Sequence, residues 1–469
     1  MPELSITQFG SLNTYLNPLS TKDGQIIHCL NLDSNPYGGK IKRAGYSTFL
    51  GTPDNSNVDG IFSWTKNDDT TMFLYRVSGS KVYYSAQGTG AWTVCGNGTV
   101  GTTNVGYAVL ENTLMIGDGV GSTRHTTNGT AFTDTTAAPI ASQFVEYQQR
   151  IWAMGTSSNI FYSTTGTATD WTTDSSSILI PGEGKLESIM KESDRLVATK
   201  TSNAMFKYDG SLLIDMATQL GPDSYQSISD VEDYAFWQNR NGIYIFNGSN
   251  PQLISNAIQN QFYNRNDTGI AGSVFDTAPG NVFRYQYMLS VGTITDSFVR
   301  EQISNAIINY DYQKNEFSNY KYANFPKAYH SYEDTSGIKQ LIFGDASGQC
   351  YQVSPTATSD NGSAIEANLQ IILHANSPFL DKEWGWFEVF TNPGCEAKVQ
   401  FCLTDTFMSS QKIWKEFEGK PRDLRSGFSQ YRFPSGSRGR ICFIRIYEAS
   451  SDGPFSLYGI NYTFNLINR

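Results

Sequence analysis

At 469 residues and 52.1 kDa the chain is longer than one ordinary core, and its length fits about three domains or one large repeat domain with a smaller companion. Charged residues are 17% against a usual ~25%, and 27 Tyr, 28 Phe and 42 Gly favour strands and turns over helices, which excludes a disordered chain and a coiled coil. The net charge of −10 argues against a protein that grips duplex DNA by neutralising phosphates. From Ala364 onward 12 Lys+Arg stand against 11 Asp+Glu, so the acidic excess lies in the first three quarters.

The N-terminus, Met1-Pro2-Glu3-Leu4-Ser5, has neither a basic nor an apolar leader segment, and no apolar run approaches the ~18 residues of a membrane span. Residues 1–57 read as an extended, Gly-rich arm ending in a ring-closing strand. Such an arm is suited either to clasp a neighbouring copy or to wrap its own chain.

From residue 58 to 355 the chain repeats itself. Tyr83-Tyr84-Ser85-Ala86-Gln87-Gly88-Thr89, Arg124-His125-Thr126-Thr127-Asn128-Gly129-Thr130 and Phe161-Tyr162-Ser163-Thr164-Thr165-Gly166-Thr167 each lead to an aromatic-Thr pair. Shorter copies end at Gly210 and Gly248, and a sixth, Asn309 to Phe317, keeps the aromatic strand but lacks the glycine. The five glycines are spaced by 41, 37, 44 and 38 residues. Paired strands precede several of these hairpins, as at Phe144–Tyr147 and Arg150–Met154. A unit of about four strands and roughly 40 residues is the period of a propeller blade, and the apolar spacing lacks the 3.6-residue rhythm of a helical solenoid. The sequence therefore predicts an all-β fold: a β-propeller of six or seven blades, seven favoured, over 58–355. The overlong fifth-to-sixth interval predicts an insertion with a short helix near Asn256 to Asp267.

A small polar linker, 356–363, precedes longer alternating strands such as Lys398–Leu403 and Arg440–Ile446, so 364–469 reads as a β-sandwich.

Chemistry is sparse. The six cysteines have no CxxC spacing and read as reduced thiols. His28, His125, His330 and His374 lie far apart, against a zinc site. The runs Gly117–Gly121, Asp345–Gly348 and Asp68-Asp69 read as turns rather than phosphate or calcium loops. The Ser163–Trp171 hairpin is similar to the Asp-box of sialidases, but Asp170 sits just before the tryptophan instead of third in the motif. A sialidase-like site would also need an arginine cluster from Arg76, Arg124, Arg150, Arg195, Arg240 and Arg284, and a tyrosine with an acidic partner. No catalytic, cofactor-binding or metal-ligating residue is assigned, and the chain is expected not to be an enzyme.

The opening, Phe9-Gly10-Ser11-Leu12-Asn13, Asn17-Pro18, Gly38-Gly39 and Lys42-Arg43-Ala44-Gly45-Tyr46, resembles the start of tailed-phage structural proteins, with Ser11 and Ala44 in place of the usual Gly and Pro. The end, Ser437-Arg438-Gly439-Arg440, strand Ile441–Tyr447, a turn at Asp452-Gly453-Pro454 and strand Phe455–Phe464, resembles the close of the tail hub, or packaged-DNA stabilisation, protein of short-tailed bacteriophages. The resemblance runs along the whole chain. It implies a virion protein assembled in a host cytoplasm as a homo-oligomeric, hexameric ring. A portal adaptor would sit above the ring and a tail needle, nozzle or tailspike below it. Double-stranded DNA would be retained and then pass non-specifically through its bore, with no membrane partner and no cofactor. An acidic wall suits that task, because like charge lets duplex slide. A receptor- or glycan-binding tail propeller and a sialidase-like glycosidase are the alternatives.

Overall fold

In the computed structural model the described residues are 2–15, 21–51, 53–66, 71–101, 105–192, 194–231, 233–262, 269–270, 274–295, 302–393, 395, 397–405, 413–417, 422–425, 427–449 and 455–467. The sequence readings at Asn17-Pro18, Asp68-Asp69 and Asp452–Pro454 lie outside them.

The fold is all-β, a propeller with a β-sandwich. Four-stranded antiparallel meanders occupy residues 58–99, 106–134, 141–179, 186–215 and 229–253, each running outward from an inner strand. The last blade joins three strands of 328–354 to Gly45–Phe49, which pairs antiparallel with Cys350–Ser354 and closes the ring. Closure of this kind ties the first part of the chain to the last blade and removes an open sheet edge. The five repeat glycines all lie between third and fourth strands, with φ from +62° to +100°, the left-handed backbone that the hairpins require. At the sixth repeat, which lacks the glycine, Asn315 takes φ +56°.

One further meander, 280–321, fills a place in the ring between 229–253 and the last blade. The Val282 amide donates to Ser229 Oγ at 2.9 Å, and Asn281 Nδ2 donates to Ser331 Oγ at 2.6 Å. Its outer strand, Glu316–Lys321, does not end the sheet. It continues through Gln25–Leu30 into Ala367–Leu373, Ile441–Glu448 and Lys398–Thr404, giving a ten-stranded sheet shared by propeller and sandwich. The second layer of the sandwich is built on Ser456–Leu466, Lys382–Thr391 and Phe428–Arg432. Leu369, Ile371, Phe401 and Ile444 of one layer meet Phe387, Val389, Ile460 and Tyr462 of the other. The same core runs without a break into Tyr287, Leu289 and Ile308 of the bridging meander.

The N-terminal segment differs from the extended arm expected of it. Glu3–Ile6 and Lys40–Lys42 both pair with Ser456–Leu466, and Gln25–Leu30 is an interior strand of the ten-stranded sheet. The reason is packing: Phe9, Leu12, Ile26, Leu30 and Leu32 are buried in the common core. These residues are built into the sheets of their own chain, the second of the two roles open to the arm. The segment 356–363 is also not a free tether, because Ser359–Asp360 pairs beside Gly45–Phe49. The predicted insertion carries a 3-10 turn, Ser255–Ile258, and the short α-helix Gln259–Phe262.

Candidate functional site

Two regions concentrate polar groups inside the molecule: the junction of propeller and sandwich, and the channel along the propeller axis. The junction is held by the basic run that the sequence placed at Lys42-Arg43-Ala44-Gly45. Arg43 is 2% exposed and spends all its donors. Its Nη1 and Nη2 donate to the two carboxylate oxygens of Asp360 at 2.9 and 2.6 Å. Nε donates to Asn31 Oδ1 at 2.8 Å, and the remaining Nη protons go to the Ala44 and Lys321 carbonyls. The guanidinium lies over the Tyr322 ring at 4.3 Å. Burial works against its charge, but the Asp360 hydrogen bonds and charge outweigh that and raise its pKa. Lys40 pairs with Glu316 at 2.8 Å, and Lys42 pairs with Glu448. Three successive cations thus tie one segment to the bridging meander, the sandwich and the linker. Gly45 completes the fit, since a Cβ there would meet the Ser359 carbonyl.

Beside this lock lies a cavity of about 300 Å³ where Tyr320, Asp33 and Arg43 come together. Tyr320 donates to Asp33, and Gln286 Nε2 donates to the same carboxylate at 3.0 Å. Burial pushes the Asp33 pKa up against those bonds. A tyrosine, an acid and an arginine do meet here, but the guanidinium has no donor left for a substrate carboxylate.

The arginines that a sialidase-like site would gather stay in separate blades. Arg76 pairs with Asp54 at 3.1 Å, Arg124 with Asp134 at 3.0 Å, and Arg150 with Asp174 at 2.6 Å. The Asp-box-like hairpin is a turn device: Ser163 Oγ accepts the Ile151 amide at 3.0 Å, and the Asp170 carboxylate accepts the Thr172 amide at 2.8 Å. Its Trp171 is buried and donates to the Ala168 carbonyl at 3.0 Å. Asp118 in the glycine run accepts the Val120 and Gly121 amides at 2.9 and 2.8 Å, and Asp345 accepts the Ser347 amide at 2.8 Å. Both runs are therefore turns. The histidines are not brought together, and no group of three or more metal-ligating side chains occurs among the described residues. All six cysteines are free thiols. Burial raises Cys29, Cys95 and Cys350 to about 12, far from a reactive thiolate.

The channel is walled by the inner strands. Asp59, Tyr107, Asp230, Lys327 and His330 line one cavity, and Glu146 and Lys191 line a second that shares Tyr107 and Asp230 with it. Burial alone raises Asp59 to about 6 and Asp230 to about 7, and it lowers His330 to about 4. Glu187 rises to about 7 through burial first, then through the charges of Asp223 and Asp276. Acids that hold protons near neutrality are what general acid–base sites use. Here, however, burial is the first cause at each, and at Asp59 and Asp230 it acts alone. These residues were not legible beforehand, because isolated Asp and Glu at strand ends carry no motif.

No protein-family model matches the chain, and no curated protein matches it. Among solved structures, the WD40 β-propeller domain of Doa1 is similar at TM-score 0.43 and 10% identity, covering 66% of this chain and 97% of that one. YCF48 bound to D1 peptide is similar at TM-score 0.42 and 10% identity, covering 69% and 99%. BamB from Moraxella catarrhalis is similar at TM-score 0.37 and 10% identity, covering 69% and 95%. At these values the likeness is one of fold alone.

Proposed function

We propose that this chain is a structural subunit of a bacteriophage tail, a hub or nozzle whose copies close into a ring below the portal and adaptor. In that place the ring retains packaged DNA and conducts it during ejection. The observation that supports this reading is the ten-stranded sheet and unbroken core that make propeller and sandwich one body. A wall element has to hold its shape under load, and close-packed, shared cores have no hinge to yield.

Charge supports the same reading. Residues 58–355 hold 18 Lys+Arg and 28 Asp+Glu, a net of −10, while the rest of the chain balances. A propeller of that sign repels phosphates and leaves duplex free to slide. The resemblance of the opening to tailed-phage structural proteins, and of the end to the tail hub protein, points in the same direction.

The test is the size of the assembly. Purified chain, alone and with portal and adaptor, is examined by negative-stain imaging and native mass spectrometry. A ring of six copies of the 52.1 kDa chain weighs about 313 kDa. A monomer under both conditions overturns the proposal.

A further inference from the structure

We propose that the outer strand of the third blade, Ser176–Leu179, is a docking edge that takes up an uncharged extended segment of a partner protein by strand addition. Outer strands of a propeller are open edges, and proteins protect such edges with charge, proline, bulges or cover. The other blades follow that rule. Thr133–Asp134 and Leu213–Asp215 carry acids, and Gln252–Leu253 follows Pro251. Thr93–Thr99 is covered, with Gly96 bridged to Ala131 of the next blade. Gly45–Phe49 is paired by Ser359–Asp360, and Glu316–Lys321 by Gln25–Leu30. Ser176–Leu179 contains no charge, proline or bulge and has no strand on its outer side among the described residues, and its flanking proline, Pro181, lies past Ile180, beyond the outward-facing residues.

The register fixes which groups are free. Ile180 donates to the Ser158 carbonyl at 2.9 Å, so Ile180, Ile178 and Ser176 turn their backbone groups toward the inner neighbour. Ser177 and Leu179 turn theirs outward, two donors and two acceptors in ladder spacing. Leu179 is 66% exposed.

Ser177 also lines a groove of about 580 Å³ between the second and third blades. Pro139, Ile140, Phe161 and Trp171 form its apolar walls, and Ser and Thr hydroxyls complete it. No charged side chain lines it, although the propeller around it carries a net of −10. A groove without charge penalises a charged occupant by desolvation and accepts an apolar one. Ladder bonds from Ser177 and Leu179, with every second side chain entering the groove, are the usual terms of strand addition. The occupant is therefore an extended, uncharged segment with apolar residues at alternate positions.

The probe is a capped nine-residue peptide alternating Thr with Val, and a second peptide with Glu at its centre, titrated against the full chain by fluorescence anisotropy. The neutral peptide is expected to bind, with at least tenfold weaker binding by the Glu peptide and by the variant Leu179→Lys. Leu179→Lys should keep the wild-type melting curve, because the side chain is exposed. Absence of neutral-peptide binding, or equal binding by wild type and Leu179→Lys, overturns the proposal. Self-association that Leu179→Lys abolishes, without peptide binding, overturns the choice of occupant in favour of a second copy. Binding of a neutral oligosaccharide such as maltohexaose in place of the peptide also overturns it.

Discussion

Removing the Asp360 carboxylate strands the Arg43 guanidinium in the middle of the molecule. In Asp360→Ala the cation keeps its bonds to Asn31, Ala44 and Lys321, and loses two charge-assisted bonds of 2.9 and 2.6 Å. Side-chain exposure of 2% and 3% leaves little room for water to replace them. Breaking one partner of such a buried pair costs about 3–5 kcal/mol. At ~2.1 cal/mol/K per residue, a cooperative unit of this size unfolds with an entropy of about 1 kcal/mol/K, so Tm falls by about 3–5 °C. Calorimetry on the full chain measures this. Asp360→Asn, which keeps an acceptor, loses less. Arg43→Met combined with Asp360→Leu recovers most of the loss, because no buried charge remains. If Asp360→Ala costs under about 0.5 kcal/mol, or the double variant costs the sum of the two single changes, the junction is not held by this pair.

Glu192 is 2% exposed and its Oε1 has no hydrogen-bond partner among the described residues; burial first, then the charges of Asp230 and Asp233, raise it from 4.5 to about 7. Folded chain holds this proton where unfolded chain has released it, so stability falls as pH rises from about 4.5 to 7. Glu192→Gln therefore gains up to about 3 kcal/mol above pH 7 and nothing below pH 4.5, read from urea unfolding at the two pH values; an equal effect at both refutes the assignment. Deleting residues 2–40 removes Gln25–Leu30 from the interior of the ten-stranded sheet, so the chain should lose its cooperative melting transition; a normal melt shows that the sheet closes without it. Lys200 donates its ammonium to the Ile180, Pro181 and Gly182 carbonyls at 3.1, 3.0 and 2.6 Å. Lys200→Met leaves three acceptors buried and costs about 1–3 kcal/mol, and an unchanged Tm speaks against that role. Gly45→Ala sets a Cβ against the Ser359 carbonyl and should lower Tm by several degrees, whereas Gly10→Ala, with nothing within 4 Å and no left-handed φ, should leave it unchanged.

The sequence alone determined the class of the fold and the rhythm of the ring. Aromatic strands, polar turns and left-handed glycines at intervals near forty residues are local signals, and each hairpin needs only its own residues to form. The turns at Asp118 and Asp345 were legible for the same reason, because an Asp that caps the next amides acts within four residues. Only the tertiary structure decided where the first forty residues go. Gln25–Leu30 reads as a short apolar strand in any setting, and its neighbours, Asn319 and Asn368, lie about three hundred residues away. The ion pairs Arg43–Asp360 and Lys40–Glu316 span the same distance, so no spacing in the chain announces them. The raised acids of the channel and the open edge at Ser176–Leu179 also depend on what surrounds them. Burial, charge and cover are properties of the assembled ring and not of any one segment.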